Sequence, residues 1–223
     1  MMTIGFTSLL VLTIIASAAQ TSQTEICSHK DGMTDDIRNI ALTLHNSYRS
    51  DLALGKVKKY DGSLLPQAGA MMQLEYLCEA EDIAYNEASQ CPTVENPLEA
   101  VGPLEEENFA MIPKTDANDA NSAIEMAMQK WWSTVQTDPT PYDEHFHVVE
   151  SHLKAPLMSF IRMAWHETWA VGCGVKECGD HYTIICRYRW GITLDTPLYW
   201  QNTPCKDCWE TDICHPNKGL CIE

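Results

Sequence analysis

Residues 168–188 have the sequence TWAVGCGVKECGDHYTIICRY. The two ends of this stretch, 168–175 and 181–188, are rich in β-branched and aromatic residues, which favour β-strands. Cys178, Gly179 and Asp180 lie between them and have the composition of a tight turn. The stretch therefore predicts an antiparallel β-hairpin, and Met111, far upstream, is predicted to end a third strand.

A long amphipathic helix is predicted upstream, over residues 34–54. Thr34 is a suitable N-cap, two aspartates follow it at the positive end of the helix dipole, and Gly55 is suited to the C-terminal cap. Apolar side chains at helical spacing predict one buried face, made of Ile37, Ile40, Ala41, Leu44 and Tyr48.

Two further helices are predicted, one over residues 74–88 and one from Asn118 or Asp119 to Val135. The acidic stretch 95–106 contains proline and glycine and predicts a loop, and the proline-rich stretch 137–157 predicts mostly irregular structure. Helices interleaved with an antiparallel hairpin predict a layered α+β domain.

The composition is that of a globular protein. The chain has 223 residues, of which 45% are hydrophobic and 21% charged, and its formal net charge is −16. An acidic protein is repelled by nucleic acids and by anionic membrane surfaces, so neither is an expected partner. The length allows one domain with a small appendage, and we predict a main domain over 20–200 and a cysteine-rich tail over 201–223.

The first twenty residues contain no Asp, Glu, Lys or Arg. Residues 9–16 are mostly apolar, and Ala16, Ser17 and Ala18 form a small-residue cleavage site. Residues 1–19 are therefore predicted to be a secretory signal peptide, and the mature protein to be extracellular. The alternative is an uncleaved anchor, for which the apolar run is short, so no integral membrane anchor is expected.

The cysteines follow the predicted signal peptide and are even in number: Cys27, Cys78, Cys91, Cys173, Cys178, Cys186, Cys205, Cys208, Cys214 and Cys221. In an oxidising compartment this number predicts five disulfides, whose connectivity the spacing does not define. Zinc is the alternative for the closely spaced Cys205 and Cys208 together with Cys214 and Cys221.

Six segments in order along the chain support a family resemblance: HNSYR at 45–49, LEY at 74–76 with Cys78 and Cys91, EEN at 106–108, WW at 131–132, MAW at 163–165 continuing to GCGV at 172–175, and CRY at 186–188 with PLY at 197–199. Together they resemble the CAP superfamily, also called SCP/TAPS. The cysteine-rich tail resembles the venom-allergen-like, activation-associated secreted proteins of nematodes. The resemblance implies a three-layer α-β-α sandwich of the CAP type with a short cysteine-rich C-terminal extension.

The resemblance also implies a central cavity with two His and two Glu that bind a divalent metal. His45 and Glu107 match two of these positions, whereas Thr134 and Ser159 stand where the other Glu and His are expected. Two ligands are fewer than a zinc site needs, so no metal or other cofactor is predicted there. Instead, His45 and Glu107 are expected to hydrogen-bond to each other and to buried backbone.

A catalytic alternative combines Ser159, His45 and Glu107 into a nucleophile, base and carboxylate. The sequence has no Gly-x-Ser-x-Gly elbow and shows no oxyanion hole. We therefore predict that the protein is not an enzyme.

The irregular stretch carries two candidate sites. His145 and His147, next to Asp143 and Glu144, have the alternation of a metal site in an extended segment, or they are ordinary solvated loop residues. The resemblance implies that an aromatic-bearing loop at this location contacts sterols. Tyr142 and Phe146 are the candidate contacts, and the alternative is that they only anchor the loop.

The resemblance implies a further site, in which a fatty acid such as palmitate lies between two helices. The matching residues are Ile37, Ile40, Ala41, Leu44, Ile124, Met128 and Trp131. The leading hypothesis is thus an extracellular effector that binds a sterol and a fatty acid. The alternatives are a secreted protein that engages a host receptor or channel without lipid cargo, and a cavity-based hydrolase.

Overall fold

The computed structural model describes residues 26–28, 30–95 and 105–222. At its centre is a four-stranded sheet with the order β1 (Glu75–Tyr76), β4 (Ala170–Cys178), β5 (His181–Arg189) and β2 (Glu105–Pro113). β4 and β5 form the predicted antiparallel hairpin, in which Gly179 adopts a φ of 44° that glycine accepts without strain. β2 pairs antiparallel with β5 and extends two residues beyond Met111, so the predicted third strand is also present.

Two of the three predicted helices have nearly their predicted bounds. The first, α1 (Asp35–Ala53), begins where the Thr34 side chain accepts a hydrogen bond from the Ile37 amide. Leu54 is its C-cap, and Gly55 follows with a φ of 68°. The third, α3 (Ala120–Thr137), is capped by reciprocal hydrogen bonds between Asp119 and Ser122.

The predicted second helix is wrong at its start. α2 spans Cys78–Ala88, and the residues just before it form strand β1. The amide of Glu75 donates to the carbonyl of Trp169, and the amide of Leu77 donates to that of Val171. Because these amides are committed to the edge of the sheet, the chain cannot be helical before Cys78.

The stretches predicted to lack structure are also partly ordered. Glu105 and Glu106, assigned to a loop, begin β2 because they pair with Arg189 and Tyr188 of β5. The stretch 137–157 is mostly irregular as predicted, apart from β3 (His147–Val148), which pairs with β6 (Thr196–Pro197), and a short 3-10 helix (Glu150–His152). A fourth helix, α4 (Met158–Ala164), follows it and was not predicted.

The helices cover both faces of the sheet and complete the expected α-β-α sandwich. α2 lies against β4, where a Cβ atom on Gly172 or Gly174 would come within 2.4 Å of the α2 backbone. α1, α3 and α4 pack together on the opposite face. The core between this second layer and the sheet is apolar and includes Ile124, Met128, Trp131, Phe160 and Ile184.

Five disulfides join all ten cysteines: Cys27–Cys78, Cys91–Cys178, Cys173–Cys186, Cys205–Cys214 and Cys208–Cys221. The five disulfides confirm the predicted number. The last two pairs use all four tail cysteines, so the zinc alternative for the tail is wrong. The tail forms a small hairpin of β7 (Ile213–His215) and β8 (Leu220–Ile222), and Leu220 and Cys221 are buried against the main domain.

The predicted signal peptide, residues 1–19, lies outside the described residues. Within the described ranges, no helix combines the length and apolar character that crossing a bilayer requires.

Candidate functional site

A buried polar cluster, which we call the His45 cluster, joins α1 to the sheet and to α4. His45 Nδ1 lies 2.8 Å from the carbonyl oxygen of Ala41, and Nε2 lies 3.0 Å from the hydroxyl of Tyr188. The Asn108 amide donates to the same hydroxyl and to the carbonyl oxygen of Ser159. Because the Ala41 carbonyl only accepts, Nδ1 carries the proton, and Nε2 accepts from Tyr188.

Burial keeps His45 uncharged. The side chain is fully buried, and desolvation, helped by the nearby Arg49 charge, lowers its pKa to about 4. A neutral imidazole with both nitrogens hydrogen-bonded is a stable structural element of the core. It has no free nitrogen to offer a ligand or a substrate.

The carboxylate on the same face of the sheet as His45 is Glu106. Glu106 pairs with Tyr188 across the β2–β5 ladder, so the two side chains share a face. Its Oε2 lies 2.9 Å from Nε of Arg162 on α4, and both side chains are buried. A buried guanidinium therefore compensates this charge.

Glu107 points to the opposite face, so the predicted contact between His45 and Glu107 is wrong. Consecutive side chains on a strand alternate between faces, and Glu107 lies across from Arg187, with Oε2 2.9 Å from Nε. Arg187 also pairs with Glu87 of α2. Burial, together with the Glu87 charge, raises the pKa of Glu107 to about 8.

The Ser159, His45 and Glu107 arrangement of a hydrolase is therefore not formed. The imidazole nitrogen that would have to accept the serine proton already accepts from Tyr188, and the carboxylate lies across the sheet. The Thr134 hydroxyl donates to the Trp131 carbonyl one turn earlier in α3. Of the four predicted cavity residues, only His45 and Ser159 belong to one cluster, and Ser159 contributes its carbonyl.

The two aromatic residues of the predicted sterol loop differ in how far they are buried. Phe146 is 2% exposed and packs near Phe160 and His152, so it anchors the loop. Tyr142 is half-buried and stacks on Phe146, with ring centroids 3.9 Å apart and planes within 2°. Both rings line a cleft of about 260 Å³, which we call the Tyr142 cleft; its other walls are Lys59, Leu64, Leu65, Pro66, Asp143, Glu144 and Gln201.

The histidines of this loop form a turn rather than a ligand pair. Asp143 accepts hydrogen bonds from the amides of His145 and His147, and its Oδ2 lies 2.6 Å from Nδ1 of His147. The two rings are close to perpendicular, and Phe146 between them has a φ of 52°, which breaks the extended alternation. Within residues 26–28, 30–95 and 105–222, no group of three or more His, Cys, Asp or Glu has the geometry of a metal site.

The predicted fatty-acid groove is closed. Ile37, Ala41, Ile124, Met128 and Trp131 are buried in the main core, and Ile40 and Leu44 are partly buried against it. α1 and α3 pack directly on one another, so these side chains form the helix–helix contact and leave no channel for an acyl chain.

Sequence reasoning missed the widest of the described clefts. Its volume is about 590 Å³, and four tryptophans line it together with acidic and neutral side chains. The lining residues are Ala70, Met72, His166, Glu167, Trp169, Trp190, Trp200, Asp207, Trp209 and Asp212. We call it the tryptophan cleft. The available signal was that four of the seven tryptophans fall between 169 and 209, although only the fold brings them together.

Comparison with known proteins gives a consistent family assignment. The family model described as "CAP: Cysteine-rich secretory protein family" matches residues 42–188. The chain is 29% identical over 199 residues to Ancylostoma secreted protein of Ancylostoma caninum, covering 87% of this chain and 46% of that protein. It is 25% identical over 201 residues to Hookworm platelet inhibitor 1 of the same species, covering 90% and 87%.

Among solved structures, the crystal structure of NaASP2 with Zn2+ superposes with a TM-score of 0.75 at 29% identity. The match covers 86% of this chain and 98% of that one. In contrast, the chain spans less than half of the length of Ancylostoma secreted protein.

Proposed function

The chain belongs to the CAP family of cysteine-rich secretory proteins, and on that premise we propose that it is a secreted, venom-allergen-like protein that binds a sterol and catalyses no reaction. Five disulfides support secretion, because disulfides persist in oxidising compartments. The unassembled set of Ser159, His45 and Glu107 supports binding over catalysis. The observation that carries the sterol proposal is the Tyr142 cleft.

The walls of the Tyr142 cleft have the chemistry that a sterol needs. Stacking on Phe146 holds the Tyr142 ring in place, and Leu64 on the other wall is 55% exposed. A flat apolar ring system gains free energy when it covers such surface. Lys59 and Glu144 lie at the same cleft and offer polar partners to a sterol hydroxyl.

The size of the cleft fits partial burial of the ligand. Pockets that enclose a drug-sized molecule measure roughly 300–1,000 Å³, and this cleft measures about 260 Å³. The proposal is therefore that the sterol lies along the loop with one edge covered by Tyr142 and Leu64. Phe146 acts through Tyr142 and has little exposed surface with which to touch the ligand itself.

Binding of labelled cholesterol, competed with unlabelled cholesterol and with palmitate, tests the proposal. Truncating Tyr142 removes about 60 Å² of apolar contact, so Tyr142→Ala is expected to weaken sterol binding about tenfold. Leu153→Ala is the matched control, because Leu153 is an exposed apolar residue of the same stretch that does not line the cleft.

If Tyr142→Ala binds cholesterol as well as the wild type, the sterol binds elsewhere on the protein. Absence of any saturable cholesterol binding by the wild type would reject the sterol proposal. Competition by palmitate but not by unlabelled cholesterol would instead indicate an acyl-chain site.

A second candidate function is engagement of a host protein. The observation that favours it is the similarity to Hookworm platelet inhibitor 1, whose full length is nearly covered by this chain. Extraction of lipid from natively purified protein separates the two candidates, because a host-protein ligand requires no lipid cargo.

Zinc, which was present in the NaASP2 crystal, does not fit the residues found here. Both nitrogens of His45 are used by the Ala41 carbonyl and Tyr188. Glu106 is paired with Arg162, and Glu107 lies across the sheet. Three or four convergent protein ligands are the rule for zinc, and the His45 cluster does not offer them.

A further inference from the structure

The tryptophan cleft exposes an unusual amount of aromatic surface. Trp209 is 76% exposed, Trp200 is 54% exposed and Trp190 is 46% exposed. Large aromatic side chains left in water at a concave site mark binding surfaces more often than chance. None of these three rings contributes to the buried core, so their positions need another explanation.

The charge of the cleft is uniformly negative. Glu167, Asp207 and Asp212 line it, and no Lys or Arg is among the described residues that do so. His166, the remaining titratable wall residue, is mostly buried beside Arg49, and this lowers its pKa to about 4. At neutral pH the imidazole is therefore uncharged and leaves the negative field intact.

The backbone of the cleft walls is fixed before any ligand arrives. Trp209 and Asp212 form a turn in which each backbone amide bonds to the other residue, at 3.2 Å and 2.9 Å. The disulfides Cys205–Cys214 and Cys208–Cys221 enclose this turn. On the opposite wall, the Trp169 backbone is held in the sheet, and the Trp200 carbonyl accepts from the Gly69 amide. A fixed backbone means that binding has to order only the indole side chains, which limits the conformational entropy lost.

We propose that the tryptophan cleft binds a small organic cation of the quaternary ammonium class, with the methylated head group against the indole rings and the carboxylates around it. Indole faces attract cations through the ring quadrupole, most strongly when the cation is weakly hydrated. A metal ion or a primary ammonium is strongly hydrated and gains little from four indole rings. The volume of about 590 Å³ also accommodates an organic molecule rather than a bare ion.

The occupant is a free cation rather than the head group of a membrane lipid. A phosphocholine group carries a phosphate next to its ammonium, and the three carboxylates of the cleft repel that phosphate. This proposal does not rest on the sterol proposal, because the two clefts share no residue.

Titration of the intact protein with choline, followed by calorimetry and by tryptophan fluorescence, tests the site. Saturable binding with a dissociation constant at or below about 1 mM is expected. The neutral isostere 3,3-dimethyl-1-butanol has the same shape without the charge and is expected to bind at least about tenfold more weakly. Phosphocholine and phosphatidylcholine vesicles are the arms for the lipid source, and both are expected to bind more weakly than choline.

Two variants locate the site. Trp209→Ala removes an exposed ring, and a loss of about tenfold in choline affinity is expected. Glu167→Gln removes one charge without changing shape, and a loss of about threefold at low salt that disappears at high salt is expected. Tyr60→Ala is the control, because Tyr60 is an exposed aromatic residue that does not line the cleft.

The proposal is overturned if choline shows no saturable binding at about 10 mM, or if the neutral isostere binds as tightly as choline. It is also overturned if Trp209→Ala binds choline like the wild type, or if vesicles bind while free choline does not. The sterol assay is unaffected by any of these results, so the two proposals fail separately.

Discussion

At the scale of single residues, the alternation of side chains along β2 decides which carboxylate lies on which face of the sheet. Glu106 and Glu107 are adjacent and chemically identical, yet one faces Tyr188 and Arg162 and the other faces Arg187 and Glu87. A shift of one residue in register would exchange these roles. Their different environments follow from the register of β2 against β5, which cannot be predicted from the sequence around residues 106 and 107 alone.

Glu107 should make stability fall as the pH rises, and Glu107→Gln should remove this effect. The pKa of Glu107 is about 8 in the folded protein and 4.5 ordinarily, so the folded state holds the proton more tightly. The resulting stabilisation is complete below the ordinary value and is lost as the pH rises through about 8. Between pH 5 and 9, the wild type should lose about 4 kcal/mol more of unfolding free energy than the glutamine variant.

Urea unfolding with the disulfides intact, at several pH values for both proteins, measures this difference. Wild type and Glu107→Gln share every other titrating group, so subtracting one profile from the other isolates Glu107. Parallel profiles from pH 5 to 9 would show that the folded protein does not raise the pKa of this carboxyl group.

At the scale of elements, the sequence predicted correctly those helix ends that are stabilised by residues close by in the chain. The caps of α1 and α3 depend on Thr34 and Asp119, which act within three residues, and both helices begin where the sequence places them. The start of α2 depends on amides that pair with β4, almost a hundred residues away, and its prediction is wrong. The same distinction explains Phe146, whose burial depends on α4 and on a positive φ that a pattern of apolar residues does not reveal.

The contact between α2 and β4 depends on the absence of side chains on Gly172 and Gly174. A Cβ at Gly174 would lie 2.4 Å from the backbone of Tyr85, which cannot move without displacing the helix. Gly174→Ala should therefore destabilise the protein by about 2–4 kcal/mol in urea or thermal unfolding.

Gly179→Asn is the control for this substitution. The position has open space around it, and asparagine tolerates its φ of 44° better than other residues do. Its expected cost is below about 1 kcal/mol. Equal stability of Gly174→Ala and the wild type would mean that α2 lies farther from the sheet than described.

At the scale of the whole molecule, covalent and polar links hold the three layers together. Cys27–Cys78 and Cys91–Cys178 attach the two ends of α2 to the rest of the chain, and two further disulfides cross-link the tail within itself. On the other side of the sheet, the His45 cluster joins α1, α4 and two strands through hydrogen bonds of His45, Tyr188 and the Asn108 amide nitrogen. The sequence predicted the family, but it could not predict that the Tyr188 hydroxyl would hydrogen-bond to Nε2 of His45.

That occupied interior leads to the prediction that the protein retains no stoichiometric zinc after dialysis at neutral pH. A metal at His45 would have to displace the Tyr188 hydroxyl and leave it, with Asn108, unpaired in the core. Elemental analysis and the change in melting temperature on adding zinc measure this, with His45→Gln and His147→Gln as the variants that locate any bound ion. One zinc per chain that is lost in His45→Gln would show that the cluster opens to bind metal. One that is lost only in His147→Gln would place the metal in the turn at Asp143, where the imidazole is half-exposed and needs no rearrangement of the core.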